Sequence, residues 1–198
     1  MNKNVLLCGV GGKGTVLASK IIAAAAMEEG STVHSAETIG MAQRGGSVTS
    51  HVRIGYNCYS PLIPEGKADV ILAFEPSEAV RNLKYLNKNG TVVVNSVPVK
   101  PVTESLHETG YDGTEVLAYL KKKVKNVIEV DAGTMLSTLG SSKYFNIAIL
   151  GVSIGADILG IKEETVVNEI KSRVPERFLE VDMKAFNLGK EIGVTYET

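Results

Sequence analysis

Residues Cys8–Thr15 read CGVGGKGT, between an apolar run beginning at Val5 and an alanine-rich segment. A short apolar run that opens into glycines and then strong helix formers is how a buried strand joins a helix. From Thr15 to Glu29 the pattern predicts a helix, its four alanines at 23–26 allow close approach to a sheet, and Gly30 is placed to stop it. Gly9-x-Gly11-x-x-Gly14 has the spacing of a dinucleotide-binding turn. Glu37 ends a predicted second strand, Thr32–Glu37, where an acidic ribose ligand would stand. A phosphate loop of the GxxxxGK[ST] type is excluded, because Leu7 occupies its first glycine position and Gly14 follows Lys13. Two readings stay open. The loop either cradles an anion at a helix N-terminus beside Lys13, or only turns the chain for close packing.

Further along, 38–47 (TIGMAQRGGS) shows no period and reads as an exposed loop. Residues 48–54 alternate apolar and polar, a strand with two unlike faces. Asp69–Phe74 and Thr91–Ser96 read as buried parallel strands, with a helix over Pro76–Leu86 between them. A surface excursion over 97–113 precedes a helix at Thr114–Lys123 and a strand at Val127–Asp131. Helices over Lys143–Leu159, Glu163–Val174 and Glu180–Ile192 complete the chain, punctuated by Gly160 and Pro175. Strands alternating with helices predict an α/β fold, a three-layer Rossmann-like sandwich whose sheet is mostly parallel but mixed. With 198 residues, no repeat and no boundary, the chain reads as one domain.

Composition narrows the function classes. A net charge of −1 provides no field for nucleic acid or anionic lipid, and the opening residues go straight into a strand, so a cytoplasmic protein is expected. Two distant cysteines, Cys8 and Cys58, cannot by themselves hold an iron–sulfur cluster or a structural zinc. His34, His51 and His107 lack metal-ligand spacing. Arg44-Gly45-Gly46 offers three readings: a nucleic-acid RGG segment, disfavoured by its single copy; a solvated arginine; or a fork for carboxylate or phosphate, with glycines that let another backbone approach. Asn146 is a helix cap, an interior amide or a ligand. Glu75 and Asp131 either line the crevice at the strand ends or cap the helices after them.

Taken in order, these segments resemble the gamma-type subunits of 2-oxoacid:ferredoxin oxidoreductases, and within that family the indolepyruvate branch. The resemblance rests on GVGGKG, with Lys13 where the family has glutamine, and on Gln43-Arg-Gly-Gly46 followed by Ser50-His-Val-Arg53. It continues through Ser60-Pro61, Asp69–Ala73, Asn146 with Leu150-Gly151, and Asp182–Phe186, where Asp182 replaces a common asparagine. The family implies a larger partner subunit carrying thiamine diphosphate, magnesium and iron–sulfur clusters, with coenzyme A as co-substrate and ferredoxin taking the electrons. This chain has no GDG thiamine motif, since Tyr111 precedes Asp112-Gly113. The implied role is a non-redox subunit, inactive alone. No residue is assigned to catalysis or to a metal, while Gly9, Gly11, Gly12, Lys13, Gly14, Arg44, Gly45, Gly46 and Asn146 are the candidate coenzyme A or interface contacts. Other readings are a gamma subunit of a pyruvate or branched-chain 2-oxoacid enzyme, a self-contained NAD-binding oxidoreductase, and a nucleotide-binding regulatory module.

Overall fold

The structure, a computed structural model, describes residues 2–38, 40–55, 59–99 and 110–196. Cys58, His107 and the middle of the 97–113 excursion lie outside the described residues. The strands are β1 (Lys3–Val10), β2 (Val33–Glu37), β3 (Ser47–Ile54), β4 (Ala68–Ala73), β5 (Leu86–Asn95) and β6 (Asn126–Val130). They form one sheet in the order β2-β3-β1-β4-β5-β6. β1, β4, β5 and β6 run parallel, while β3 lies antiparallel between β1 and β2. The alternating stretch at 48–54 is therefore the strand that makes the sheet mixed.

The helices are α1 (Thr15–Glu28), α2 (Pro76–Arg81), α3 (Thr114–Lys123), α4 (Ala132–Ser137), α5 (Phe145–Gly155), α6 (Glu163–Arg173) and α7 (Glu176–Val194). Successive strand residues face opposite sides, so the sheet sorts its apolar residues into two cores. Val5, Leu7, Val70, Leu72 and Val93 pack with α1, α5, α6 and α7. Leu6, Cys8, Ile71, Ala73, Val92 and Val94 pack with α2 and α3. The three-layer sandwich is present, and Ala23–Ala26 are buried in it.

Several local readings change. The helix expected to reach Leu86 stops at Arg81, where the buried Asn82 side chain donates to the Glu78 carbonyl and a 3₁₀ turn follows. β5 then starts at Leu86, five residues before the expected Thr91. A register shift between Ala68 and Val70, with Gly90 packed against Leu86, interrupts the period that would have shown its first half. The helix expected from Lys143 starts at Phe145, and Asp131, read as a crevice residue or a cap, caps α4.

The closest helix contact joins α5 to α7. A Cβ placed on Gly151 would lie 2.0 Å from the Phe186 carbonyl oxygen, and one on Gly155 would lie 2.2 Å from that of Lys190. Reciprocally, Gly189 and Gly193 would meet the carbonyls of Ala148 and Val152 at 2.0 and 2.2 Å. Both numberings rise together, so the helices run parallel, backbone against backbone. Asp182 is buried on the same α7 face as Ala185, Phe186 and Gly189, and burial pushes its carboxyl up to about 6.

Gly189→Ala should destabilise the protein by at least about 2 kcal/mol in urea unfolding. Alanine gains roughly 0.5–1 kcal/mol of helix propensity, but overpacking against a carbonyl that cannot move aside costs more. For Asp182 the native pKa is raised, so the folded chain holds the proton more tightly than the unfolded one. Its contribution is fully present below the unfolded value and is lost as pH rises through about 6. Asp182→Asn should flatten stability between pH 4 and 6 and add about 1–2 kcal/mol at pH 7, after discounting for residual solvent contact.

Candidate functional site

β1 ends in the glycine loop, and three distant segments meet there. Because β3 is antiparallel to β1, Ser47 pairs with Val10, which brings residues 40–46 over the loop. The Gly11 amide donates to the Gly46 carbonyl at 2.8 Å, and the Gly46 amide to the Ala42 carbonyl at 2.9 Å. A Cβ on Gly11 would lie 2.3 Å from the Ala42 oxygen. From the other side, a Cβ on Gly14 would lie 2.8 Å from the Asn146 amide nitrogen. Gly9 packs against Phe74, whose ring meets Phe145 edge-on at 5.6 Å. The candidate residues Gly9, Gly11, Gly12, Lys13, Gly14, Arg44, Gly45, Gly46 and Asn146 thus form one cluster.

Gly14 occupies the N-cap of α1 in the left-handed region, φ 88°. A serine or aspartate at an N-cap accepts from the first-turn amides. Gly14 has no side chain to do so, and the first turn contains no acidic residue. The end of α1 therefore presents amides and about half a positive charge. Asn146, on the first turn of α5, is only 8% exposed, and its side chain makes no hydrogen bond among the described residues. Lys13 and Arg44 are exposed, and their side chains likewise make no ion pair or hydrogen bond among the described residues.

Beside Lys13 a cleft of about 330 Å³ opens at the carboxyl ends of the parallel strands. Phe74, Val97, Pro98, Ala132 and Phe145 supply apolar walls. Asn95 also lines it, but its amide is spent on the Phe74 and Val97 carbonyls. A wider hollow of about 780 Å³, lined by Lys3, Lys67, Asp69 and Lys88 among others, lies at the opposite, amino ends of the strands. Ligands in open α/β sheets sit outside the carboxyl ends, which favours the smaller cleft.

The remaining candidates are structural. Glu75 caps α2, accepting from the Glu78 amide at 3.0 Å, and receives the Tyr111 hydroxyl at 2.5 Å. Burial first, then that hydrogen bond, pushes Tyr111 up to about 12. Asp131 accepts from the Thr134 amide, which holds its carboxyl below the usual range. Glu78, 5% exposed, accepts from Ser47 Oγ at 2.6 Å and ties α2 to the start of β3. Burial and the neighbouring carboxylates of Glu78 and Glu75 raise the Cys8 thiol, leaving it inert. Among the described residues, no three His, Cys, Asp or Glu converge as a metal-ligand set. No helix among them is long and apolar enough to cross a membrane.

Sequence reading missed Phe74, Phe145 and the Ser47–Glu78 bond. Phe145 stands beside the flagged Asn146, but nothing in the spacing shows that it closes the cleft. Glu37 lies away from the loop. β3 separates β2 from β1, which sets Glu37 two strand positions from the loop, and its carboxylate accepts from Ser19 Oγ at 3.1 Å. The dinucleotide fingerprint has lost its ribose ligand. Titration with NADH should therefore give no saturable fluorescence change below millimolar concentration. A micromolar dissociation constant, about 8 kcal/mol, lost on Gly11→Val would reverse that reading.

Residues 4–192 match the family described as pyruvate ferredoxin/flavodoxin oxidoreductase. The chain is 40% identical over 190 residues to the indolepyruvate oxidoreductase subunit IorB of Archaeoglobus fulgidus, covering 96% of this chain and 94% of that one. In fold it is similar to the gamma subunit of a keto/oxoacid ferredoxin oxidoreductase from Geobacter sulfurreducens, with a TM-score of 0.71, 22% identity and coverage of 98% and 99%. It also matches 2-oxoglutarate:ferredoxin oxidoreductase from Magnetococcus marinus, solved with 2-oxoglutarate, coenzyme A and succinyl-CoA, at a TM-score of 0.76 and 18% identity. That match covers 99% of this chain but 32% of the other. A glycine loop crossed by an RGG turn, on a mixed sheet shared with gamma subunits, thus belongs to a chain of the pyruvate ferredoxin/flavodoxin oxidoreductase family, a subunit of a 2-oxoacid:ferredoxin oxidoreductase.

Proposed function

We propose that this chain is the small, non-redox subunit of an enzyme that converts indolepyruvate or another arylpyruvate, with coenzyme A and oxidised ferredoxin, to the aryl-acetyl-CoA, carbon dioxide and reduced ferredoxin. In this reading all 198 residues act as one gamma-type domain, in the cytoplasm, and the chain is inactive alone. The arylpyruvate class rests on the relative from Archaeoglobus fulgidus. Thiamine diphosphate with magnesium, held by a larger partner subunit, would supply the decarboxylation chemistry, and that subunit's iron–sulfur clusters would take the electrons.

This chain's own contribution is a place for part of coenzyme A. The observation that carries it is the uncapped N-terminus of a fourteen-residue helix, with Lys13 beside it and the Asn146 side chain set against Gly14 at its N-cap. The Asn146 amide keeps contact with solvent, since among the described residues no fully buried side-chain nitrogen or oxygen lacks a partner, and it is free to bond a bound polar group. The α1 amides and Lys13 favour a phosphate. The apolar walls beside them favour an uncharged portion of the same molecule. Coenzyme A joins phosphates to a long, weakly polar arm, and so fits both halves.

Lys13 separates this role from a mere turn. Gly12 cannot, since its φ of 90° makes Gly12→Ala destabilising under either reading. Lys13→Ala should leave the melting temperature unchanged and raise the KM for coenzyme A about tenfold, near 1.4 kcal/mol, in the assembled enzyme, with the KM for the 2-oxoacid little altered. Unaltered coenzyme A kinetics in both Lys13→Ala and Asn146→Ala would reduce the loop to a structural turn.

A further inference from the structure

We infer that Glu78 is a positioning residue for the ligand site: through Ser47 it sets the RGG turn across the glycine loop, and so fixes the loop that bears Lys13. The inference rests on the coenzyme A reading above, and names a residue outside the cluster that controls how well the cluster binds.

α2 holds two carboxylates whose contacts go beyond its own helix end. Glu75 and Glu78 are 3% and 5% exposed, and burying a charge is costly unless hydrogen bonds compensate it. Glu75 is the N-cap of α2 and accepts from the Glu78 amide. The shorter side chains of serine, threonine, aspartate and asparagine are preferred at that position. Glutamate has extra reach, and the second oxygen of Glu75 uses it to accept from Tyr111. Glu78 is the third residue of the helix, where a glutamate ordinarily turns back to the N-cap amide. Its carboxylate reaches outward instead. One oxygen accepts from Ser47 Oγ at 2.6 Å and the other pairs with Arg81 at 3.2 Å.

From Ser47 a short path leads into the loop. Gly46, the residue before it, takes the Gly11 amide on its carbonyl at 2.8 Å and gives its own amide to the Ala42 carbonyl at 2.9 Å. Gly11 stands two residues before Lys13. Gly45 and Gly46 have no side chains to stiffen the turn, so its place depends on how its two ends are held. Its entry is held by Gln43 Nε2 on the Thr38 carbonyl at 3.1 Å, and its exit by Ser47 on Glu78.

Charge and geometry act in opposite directions here. Burial first, then the Glu78 and Glu75 carboxylates, raises the thiol of Cys8, the residue before Gly9. The field of the two acids therefore reaches the start of the loop, where it opposes an incoming phosphate. A role by field and a role by position consequently predict changes of opposite sign.

The test measures steady-state kinetics of the assembled enzyme carrying each variant of this chain, at a temperature where circular dichroism shows every variant folded. Ser47→Ala and Glu78→Ala should each raise the KM for coenzyme A about fivefold, with kcat and the KM for the 2-oxoacid changed less than about twofold. Glu78→Gln, whose amide oxygen still accepts from Ser47, should keep the coenzyme A KM within about twofold of the parent. In a Lys13→Ala background, Ser47→Ala should add less than about twofold, because residues that act through one contact are not additive. Should Glu78→Ala fail to fold, Ser47→Ala removes the same bond from its exposed end and decides the matter. A coenzyme A KM lowered by Glu78→Gln would mean that the acid acts by its field, and would overturn the positioning role. An unchanged KM in Ser47→Ala, or its full effect on top of Lys13→Ala, would also overturn it, while the coenzyme A reading stands on Lys13. If neither Lys13→Ala nor any Ser47 or Glu78 variant alters coenzyme A kinetics, the positioning role and the reading beneath it fall together.

Discussion

The placement of α5 is the constraint on which the site depends, and α7 imposes it. Four glycines, Gly151 and Gly155 on α5 with Gly189 and Gly193 on α7, let the two backbones meet where any side chain would collide with a carbonyl. Contact that close tolerates neither sliding nor rotation, because each glycine faces one particular carbonyl. The first turn of α5 is therefore fixed by residues more than forty positions later in the chain. That turn contains Phe145, which stacks edge-on against Phe74, and Asn146, which sits over Gly14. Phe74 in turn lies against Gly9. A line of packed contacts thus runs from the C-terminal helix to the glycine loop. A loop of glycines has little rigidity of its own, and acquires it from these neighbours.

The antiparallel strand β3 has the second large effect. Placed between β1 and β2, it moves Glu37 away from the loop and leaves it bonded to Ser19. The same pairing sets Ser47 opposite Val10, which lays the RGG turn across the loop and lets Gly11 donate to Gly46. One topological insertion therefore removes the geometry of a ribose site and supplies an arginine-bearing turn in its place. Glycine spacing alone cannot distinguish these outcomes, since Gly9, Gly11 and Gly14 serve the turn, the close approach and the helix start in either case.

How much of this was legible depended on whether the signal was local. The strand at 48–54 was readable because its alternation reflects two unlike faces, and its place in a mixed sheet followed. The helix at 15–29 was readable from its composition. Both caps, Glu75 and Asp131, were among the open alternatives, and both turn out to cap. The first half of β5 was not legible, because a register shift and a glycine break the period there. Start positions of α5 and α7 were misread by two to four residues, because tertiary contacts rather than propensity fix them. The site residues were visible as motifs, but their convergence was not. Gly14 and Asn146 are 132 positions apart, and tertiary packing of α5, above all against α7, brings them together.

The α1 terminus also shows where stability has been left unclaimed. An N-cap side chain is worth about 1 kcal/mol, and a first-turn carboxylate adds a few tenths more through the helix dipole. α2 and α4 have such caps, from Glu75 and Asp131. α1, longer and central, has neither a cap nor an acidic first turn. Asn146 sets its amide against the same end of α1, whereas the Asn95 side chain is fully bonded. α5 likewise has no side-chain cap and no acidic first turn, so what distinguishes the α1 end is the meeting there of its open amides with Lys13 and Asn146. A ligand phosphate could satisfy all the open groups at once: the α1 amides, the Asn146 amide and the Lys13 ammonium. In the proposed reading the unfilled N-cap is the binding site, and the fold tolerates the deficit because the α5–α7 contact and the sheet pairing hold the loop open without it.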